Sequence, residues 1–133
     1  TGKWGAQDHV LFQRLMKDLK EEKQKEPFLK LVQTSSSHEP FEVPFHRLDD
    51  KILNSFAYAD SCVGDFVKQY QETPLWKNTL FVLVPDHQGA YPYPIENPLD
   101  GQRIPLILIP GAITSGHADG VTRFWNKCRK PAI

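Results

Sequence analysis

Two short apolar runs, each preceded by a segment of helical period, set the strongest limit on what this chain can fold into. Residues 28–34 read Phe-Leu-Lys-Leu-Val-Gln-Thr and residues 79–84 read Thr-Leu-Phe-Val-Leu-Val. Both have strand length and few polar positions, which predicts strands buried on both faces. Ahead of the first run, residues 7–25 carry Val10, Leu11, Leu15 and Leu19 at helical spacing, with Asp8 as N-cap or first-turn acid. Ahead of the second, residues 49–73 carry Ile52, Phe56, Ala59, Val63, Phe66, Val67 and Tyr70 on one apolar stripe, with Asp49 or Asp50 to cap it. Residues 104–109 predict a third strand, with Pro105 near its start, where a missing N–H is tolerated. The order helix, strand, helix, strand, strand predicts an α/β fold with a largely parallel sheet and flanking helices.

Size and charge narrow the function. At 133 residues the chain suits one small domain. Sixteen basic and sixteen acidic residues leave no net charge. That balance argues against a nucleic-acid binder, which displaces counterions with a basic surface, and against a polybasic membrane module. No apolar run approaches the roughly 20 residues that span a bilayer, so no membrane contact by this segment is expected. Cys62 and Cys128 have no zinc-ligand or redox-motif spacing and are expected to be unpaired thiols. Thr1 is neither an initiator Met nor the start of a signal peptide, and the chain is expected to be cut from something longer.

Ligands of open α/β sheets bind at the carboxyl ends of the strands. The first predicted strand ends in Ser35-Ser36-Ser37-His38 and the second in Asp86-His87. In a parallel sheet both clusters lie on one rim. Asp86 and His87 offer a carboxylate and an imidazole suited to zinc or manganese. Neighbouring side chains diverge along a strand, so the pair can share a metal only if the chain bends, which Gly89 assists. The alternative is a turn in which Asp86 caps the following amides. His38 can bind an anion or act as general acid or base; the alternative is a loop histidine satisfied by backbone. The Ser35-Ser36-Ser37 run is a candidate anion nest or simply a polar loop. Ser37 and His38, being adjacent, make no nucleophile–base dyad. His9 and His46 read as surface residues, and Asp60 as a buried structural carboxylate.

The stretch around Thr34-Ser35-Ser36-Ser37-His38-Glu39-Pro40-Phe41 resembles the T-x-x-x-H-x-P-F segment of lipoteichoic-acid-synthase-like phosphoglycerol transferases, members of the alkaline phosphatase/sulfatase superfamily. Further pieces follow in that family's order. Trp4-Gly5 through Phe12 resembles its G-x-x-D…F segment, and Tyr58-Ala59-Asp60 with Phe66 its Y-x-D…F helix. Thr79 to Asp86-His87 is similar to its strand ending in DH, and Arg103-Ile104-Pro105-Leu106 with Pro110-Gly111 to its late strand and turn. The resemblance covers about residues 4–113.

It implies that Asp86 and His87 ligate a divalent metal (Mn, Mg or Zn) and that His38 contacts the phosphate or glycerol group of a phosphate- or sulfate-ester substrate. The chemistry implied is attack on phosphorus or sulfur, with the metal stabilising charge on the transferring group. The family's nucleophile and a further acidic ligand lie upstream of the matching segment. This chain is therefore expected to hold only the C-terminal part of the catalytic domain, to need the missing upstream part as its partner, and to be inactive alone. The resemblance also implies a bacterial, membrane-anchored parent with an extracytoplasmic catalytic domain. Residues 1–117 are expected to form the family part. Residues 118–133 do not fit its D-x-x-P-T continuation and are expected to be a non-native tail, from a reading-frame shift or a cloning remnant. Two other readings stand: a sulfatase fragment, and a non-catalytic α/β binding module.

Overall fold

The computed structural model describes residues 5–22, 25–89, 91, 94, 96–97 and 103–111. The chain divides into two compact units, Thr1–Thr73 and Pro74–Ile133. The expected boundary at 117/118, Cys128 and the expected tail lie outside the described residues.

The first unit is built on two packed helices, α1 (Asp8–Glu21) and α2 (Lys51–Gln71). α1 starts one residue later and stops four residues earlier than its periodicity predicts. Its Ncap residue Gln7 makes no side-chain cap bond, and Asp8 is a first-turn acid rather than the cap. Its buried positions are Asp8, Met16 and Leu19, with Phe12 half-buried between them, while Val10 is exposed. The buried face thus runs 8-12-16-19, rotated from the stripe through Val10. Arg14 and Asp18 pair at 2.8 Å along the solvent side, an exposed i,i+4 contact worth only a few tenths of a kcal/mol.

α2 is capped by Asp50, whose side chain accepts from the amides of Ile52 and Leu53, both at 2.9 Å; such a cap contributes ~1 kcal/mol. It ends where the amide and hydroxyl of Thr73 both donate to the Tyr70 carbonyl, just before Pro74. The buried positions are Asn54, Ser55, Tyr58, Cys62, Phe66 and Tyr70. Phe56 is exposed, and so is Asp60, which corrects its reading as a buried carboxylate. The stripe turned because two polar residues that periodicity discounts have work inside. Asn54 accepts from the amides of Arg47 (2.9 Å) and Leu48 (3.1 Å) and donates to the Phe45 carbonyl. Ser55 donates to the Ile52 carbonyl at 2.7 Å. Rings complete the core: Phe12 stacks on Phe66 at 5.0 Å, and Phe66 meets Tyr70 at 5.9 Å.

Residues 28–34 adopt no regular secondary structure, and among the described residues no backbone hydrogen bond pairs them with a neighbour, so the expected strand is not formed there. Phe28, Val32 and Thr34 are half-buried, whereas Leu29 and Leu31 are 90% and 95% exposed. The expectation of two buried faces fails here. Each of these leucines forgoes about 1.5–3 kcal/mol of burial.

The second unit contains a short 3-10 turn (Pro74–Asn78) and two strands, β1 (Leu80–Leu83) and β2 (Ile107–Pro110). They pair antiparallel, Leu80 opposite Pro110 and Leu83 opposite Ile107. A largely parallel sheet is therefore not what the described residues form. Parallel neighbours require a long crossover, usually helical, and the described residues between β1 and β2 include no helix. Both strands are shorter than their apolar runs, since Pro85 follows the first and Pro105 delays the second. Leu80, Val82 and Val84 are 46–57% exposed among the described residues. Trp76 packs on Phe81 at 5.9 Å, and the Gly111 amide donates to the Thr79 carbonyl at 3.0 Å. A Cβ on Gly111 would collide with the Trp76 carbonyl and ring. No helix among the described residues is long and apolar enough to cross a membrane.

Candidate functional site

The segment that follows residues 28–34 is held from α1. Oδ1 of Asp8 accepts from the amides of Ser35 (2.9 Å) and Ser36 (3.2 Å), and the Asp8 amide donates to the Ser36 hydroxyl at 3.0 Å. Two turns then succeed each other: the His38 amide donates to the Ser35 carbonyl (3.1 Å), and the Phe41 amide to the His38 carbonyl (2.9 Å). Glu39-Pro40 is a cis peptide, and Phe41 has φ 57°, in the left-handed region. A non-glycine residue there costs on the order of 1–2 kcal/mol. His38 is exposed on this turn, with Nδ1 3.2 Å from the Glu39 carbonyl.

His9, expected at the surface, is half-buried. Its Nδ1 lies 2.5 Å from the Tyr58 hydroxyl, and the two rings meet edge to face. Burial and the neighbouring Cys62 push the Tyr58 hydroxyl up to about 12. Burial likewise raises the Cys62 thiol, which is unpaired and buried. The signal for this cluster was available in the sequence: positions 54, 58, 62, 66 and 70 recur every fourth residue, but a purely apolar reading passes over Asn54 and Tyr58. His46 is exposed, as expected.

Asp86 and His87 sit on a bend just past β1, both exposed. The bend cancels the divergence of adjacent side chains. Oδ1 of Asp86 accepts from the His87 amide at 2.9 Å, while its Oδ2 lies 3.5 Å from Nε2 of His87. The carboxylate thus serves the turn with one oxygen and faces the imidazole with the other. Two donors each about 2.1 Å from one tetrahedral metal lie roughly 3.4 Å apart, so the spacing suits a shared ion. Among the described residues no group of three or more metal-ligating side chains comes together. The pair fits as two ligands of a larger set.

A shallow groove of about 280 Å³ lies along α1 by Met16 and Lys20 and reaches Gln69 of α2. It holds none of the residues expected to do chemistry.

Residues 1–122 match the Sulfatase family. The chain is also similar in structure to a protein of the alkaline phosphatase superfamily from Vibrio parahaemolyticus, with a TM-score of 0.69 and 26% identity. That likeness covers 83% of this chain and 29% of the other, so the chain spans under a third of the relative's length. Enzymes of this superfamily are metal-dependent and act on phosphate or sulfate esters. With nearly the whole chain inside the family match, the protein belongs to the Sulfatase family.

Proposed function

We propose that this chain supplies part of the metal and anion site of an enzyme that transfers or hydrolyses phosphate esters, of the phosphoglycerol-transferase kind. Asp86 and His87 act as two ligands of a divalent ion, and His38 contacts the transferred group. The convergence of Asp86 Oδ2 and His87 Nε2 on one bend carries this reading; the T-S-S-S-H-E-P-F stretch adds the phosphate preference. The ion, when bound, would neutralise charge developing on the transferring group. Asp86 keeps the bend closed through Oδ1 and so presents Oδ2 and the imidazole together. His38, at the tip of its turn, offers a ring N–H to an anionic oxygen.

In the complete domain segment 28–34 becomes a strand of a larger, largely parallel sheet, which covers Leu29 and Leu31. The nucleophile and remaining ligands come from the rest of that domain, the tail from 118 onward adds none, and this chain alone turns over no ester. The parent is a membrane-anchored bacterial enzyme working outside the cytoplasm.

Titration with Mn²⁺, followed by paramagnetic broadening of histidine ring signals, tests the metal pair. His87 should broaden first, and Asp86→Ala or His87→Ala should abolish selective broadening. Equal broadening of all exposed histidines would defeat the reading. In the parent enzyme, turnover of a phosphodiester but not of a sulfate ester is expected; the reverse would make it a sulfatase.

A further inference from the structure

The buried polar cluster at the start of α1 carries an inference about the turn that holds His38. Asp8 is fully buried at 0% exposure. A buried carboxylate is costly unless it is hydrogen-bonded, so the use of its bonds is informative. They do not go to α1: Gln7 is the Ncap residue, and among the described residues the amides that donate to Oδ1 of Asp8 are those of Ser35 and Ser36. They go instead across 27 and 28 positions of sequence to the amides of Ser35 and Ser36, and the Ser36 hydroxyl answers by accepting from the Asp8 amide. Each partner's side chain holds the other's backbone. Ser35 then starts the two successive turns that end at Phe41 and place His38 between them. Oδ2 of Asp8 has no hydrogen-bond partner among the described residues. One oxygen therefore makes every bond of the carboxylate.

We propose that Asp8 is a positioning residue for His38: through Oδ1 it clamps the Ser35 and Ser36 amides and so fixes the backbone on which the imidazole is presented. This rests on the reading of His38 as the residue that meets the anion. The clamp depends on the geometry of one acceptor oxygen rather than on the charge. Asparagine, which keeps an acceptor Oδ1, therefore substitutes for Asp8, and alanine does not.

The test uses the full chain, with amide hydrogen exchange and histidine ring resonances followed during titration with inorganic phosphate. Asp8→Ala should speed exchange at Ser35 and Ser36 by about tenfold or more relative to the α2 amides, which report global opening. It should also abolish the phosphate response of His38 while leaving His46 unchanged. Asp8→Asn should restore both. Exchange and His38 response unchanged in Asp8→Ala, or Asp8→Asn failing as Asp8→Ala does, would overturn the clamp. Should Asp8→Ala not fold, Ser36→Ala removes only the reciprocal bond. A partial loss of the His38 response there supports the clamp, and no loss overturns it. If His38 of the unsubstituted chain ignores phosphate, its anion role falls, and the clamp then stands or falls on the exchange of Ser35 and Ser36 alone.

Discussion

His38 and the Asp86–His87 pair both sit on irregular backbone, yet they are held in opposite ways. The turn bearing His38 is fastened by contacts from distant sequence: Asp8 reaches Ser35 and Ser36, and the side chain of Gln7 reaches the Glu42 carbonyl at 3.4 Å. Behind it stands a core of Phe12, Tyr58, Phe66 and Tyr70. Among the described residues the Asp86–His87 bend is fastened by its neighbours, through the His87 amide on Asp86 and the contact of His87 Nδ1 with the Gln88 carbonyl at 3.1 Å. The element before it is a strand of four residues in a two-stranded ribbon, an arrangement of marginal stability on its own. Residues on irregular backbone are thus ordered in two ways, by a buried framework or by local geometry. The two ways respond differently to substitution.

Truncation of the core should give the largest effect and should separate the two regions. Phe66→Ala removes the ring stacked on Phe12 and is expected to cost about 3–5 kcal/mol in the first unit. Urea unfolding followed by resolved amide signals would measure it. The α1 and α2 signals should lose stability while those of the β1–β2 ribbon do not. Equal loss in both would break the contrast.

Alkaline pH should act on the same unit. Tyr58 is pushed up to about 12, chiefly by burial, from its ordinary value near 10. The folded state therefore holds the phenol proton longer than the unfolded chain. That stability is fully present below pH 10 and is lost as pH rises through about 12, to the extent of about 2–3 kcal/mol. The raised Cys62 thiol adds loss in the same direction. Tyr58→Phe should flatten the fall between pH 10 and 12, whereas an unchanged slope would place the alkaline sensitivity elsewhere.

The ribbon has its own weak point at Gly111. A methyl group there meets the Trp76 carbonyl and ring, so Gly111→Ala must shift β2 or the 3-10 turn. The expected cost is about 1–3 kcal/mol, as for other overpacked sites. Loss of the Gly111–Thr79 hydrogen bond in amide exchange would register it, with the α2 amides unaffected. Unaltered exchange would mean that the turn yields without cost.

The contrast also explains what the sequence made legible. Helix periods and caps are local, so both helices emerged, with Asp50 as the cap. The bend at Asp86–His87 is local too, and Gly89 close by makes it legible. The faces those helices bury differ from their apolar stripes, because Asn54 and Asp8 go inside for partners that lie 6 to 28 residues away. Period alone cannot see such partners. The parallel sheet failed for a related reason. Strand pairing is a property of neighbours, and residues 28–34 have none among the described residues. Their apolar run has the composition of a buried strand, whereas Leu29 and Leu31 here face solvent.

The smallest expected effect on stability is the most telling about the second unit. Asp86 and His87 are 83% and 72% exposed at the side chain, and their 3.5 Å contact is a surface one. Such contacts contribute between nothing and about 1 kcal/mol. His87→Ala removes that contact and the one between Nδ1 and the Gln88 carbonyl, both at the surface, while the amide that donates to Asp86 belongs to the backbone and survives. Its effect on ribbon stability should fall within ~0.5 kcal/mol, while selective Mn²⁺ broadening disappears. A bend kept for structure would show the reverse: measurable destabilisation and no change in metal response. Stability and metal response, read together on one variant, therefore decide whether the pair is a turn that happens to contain a histidine or a ligand pair that needs little more than a turn to form.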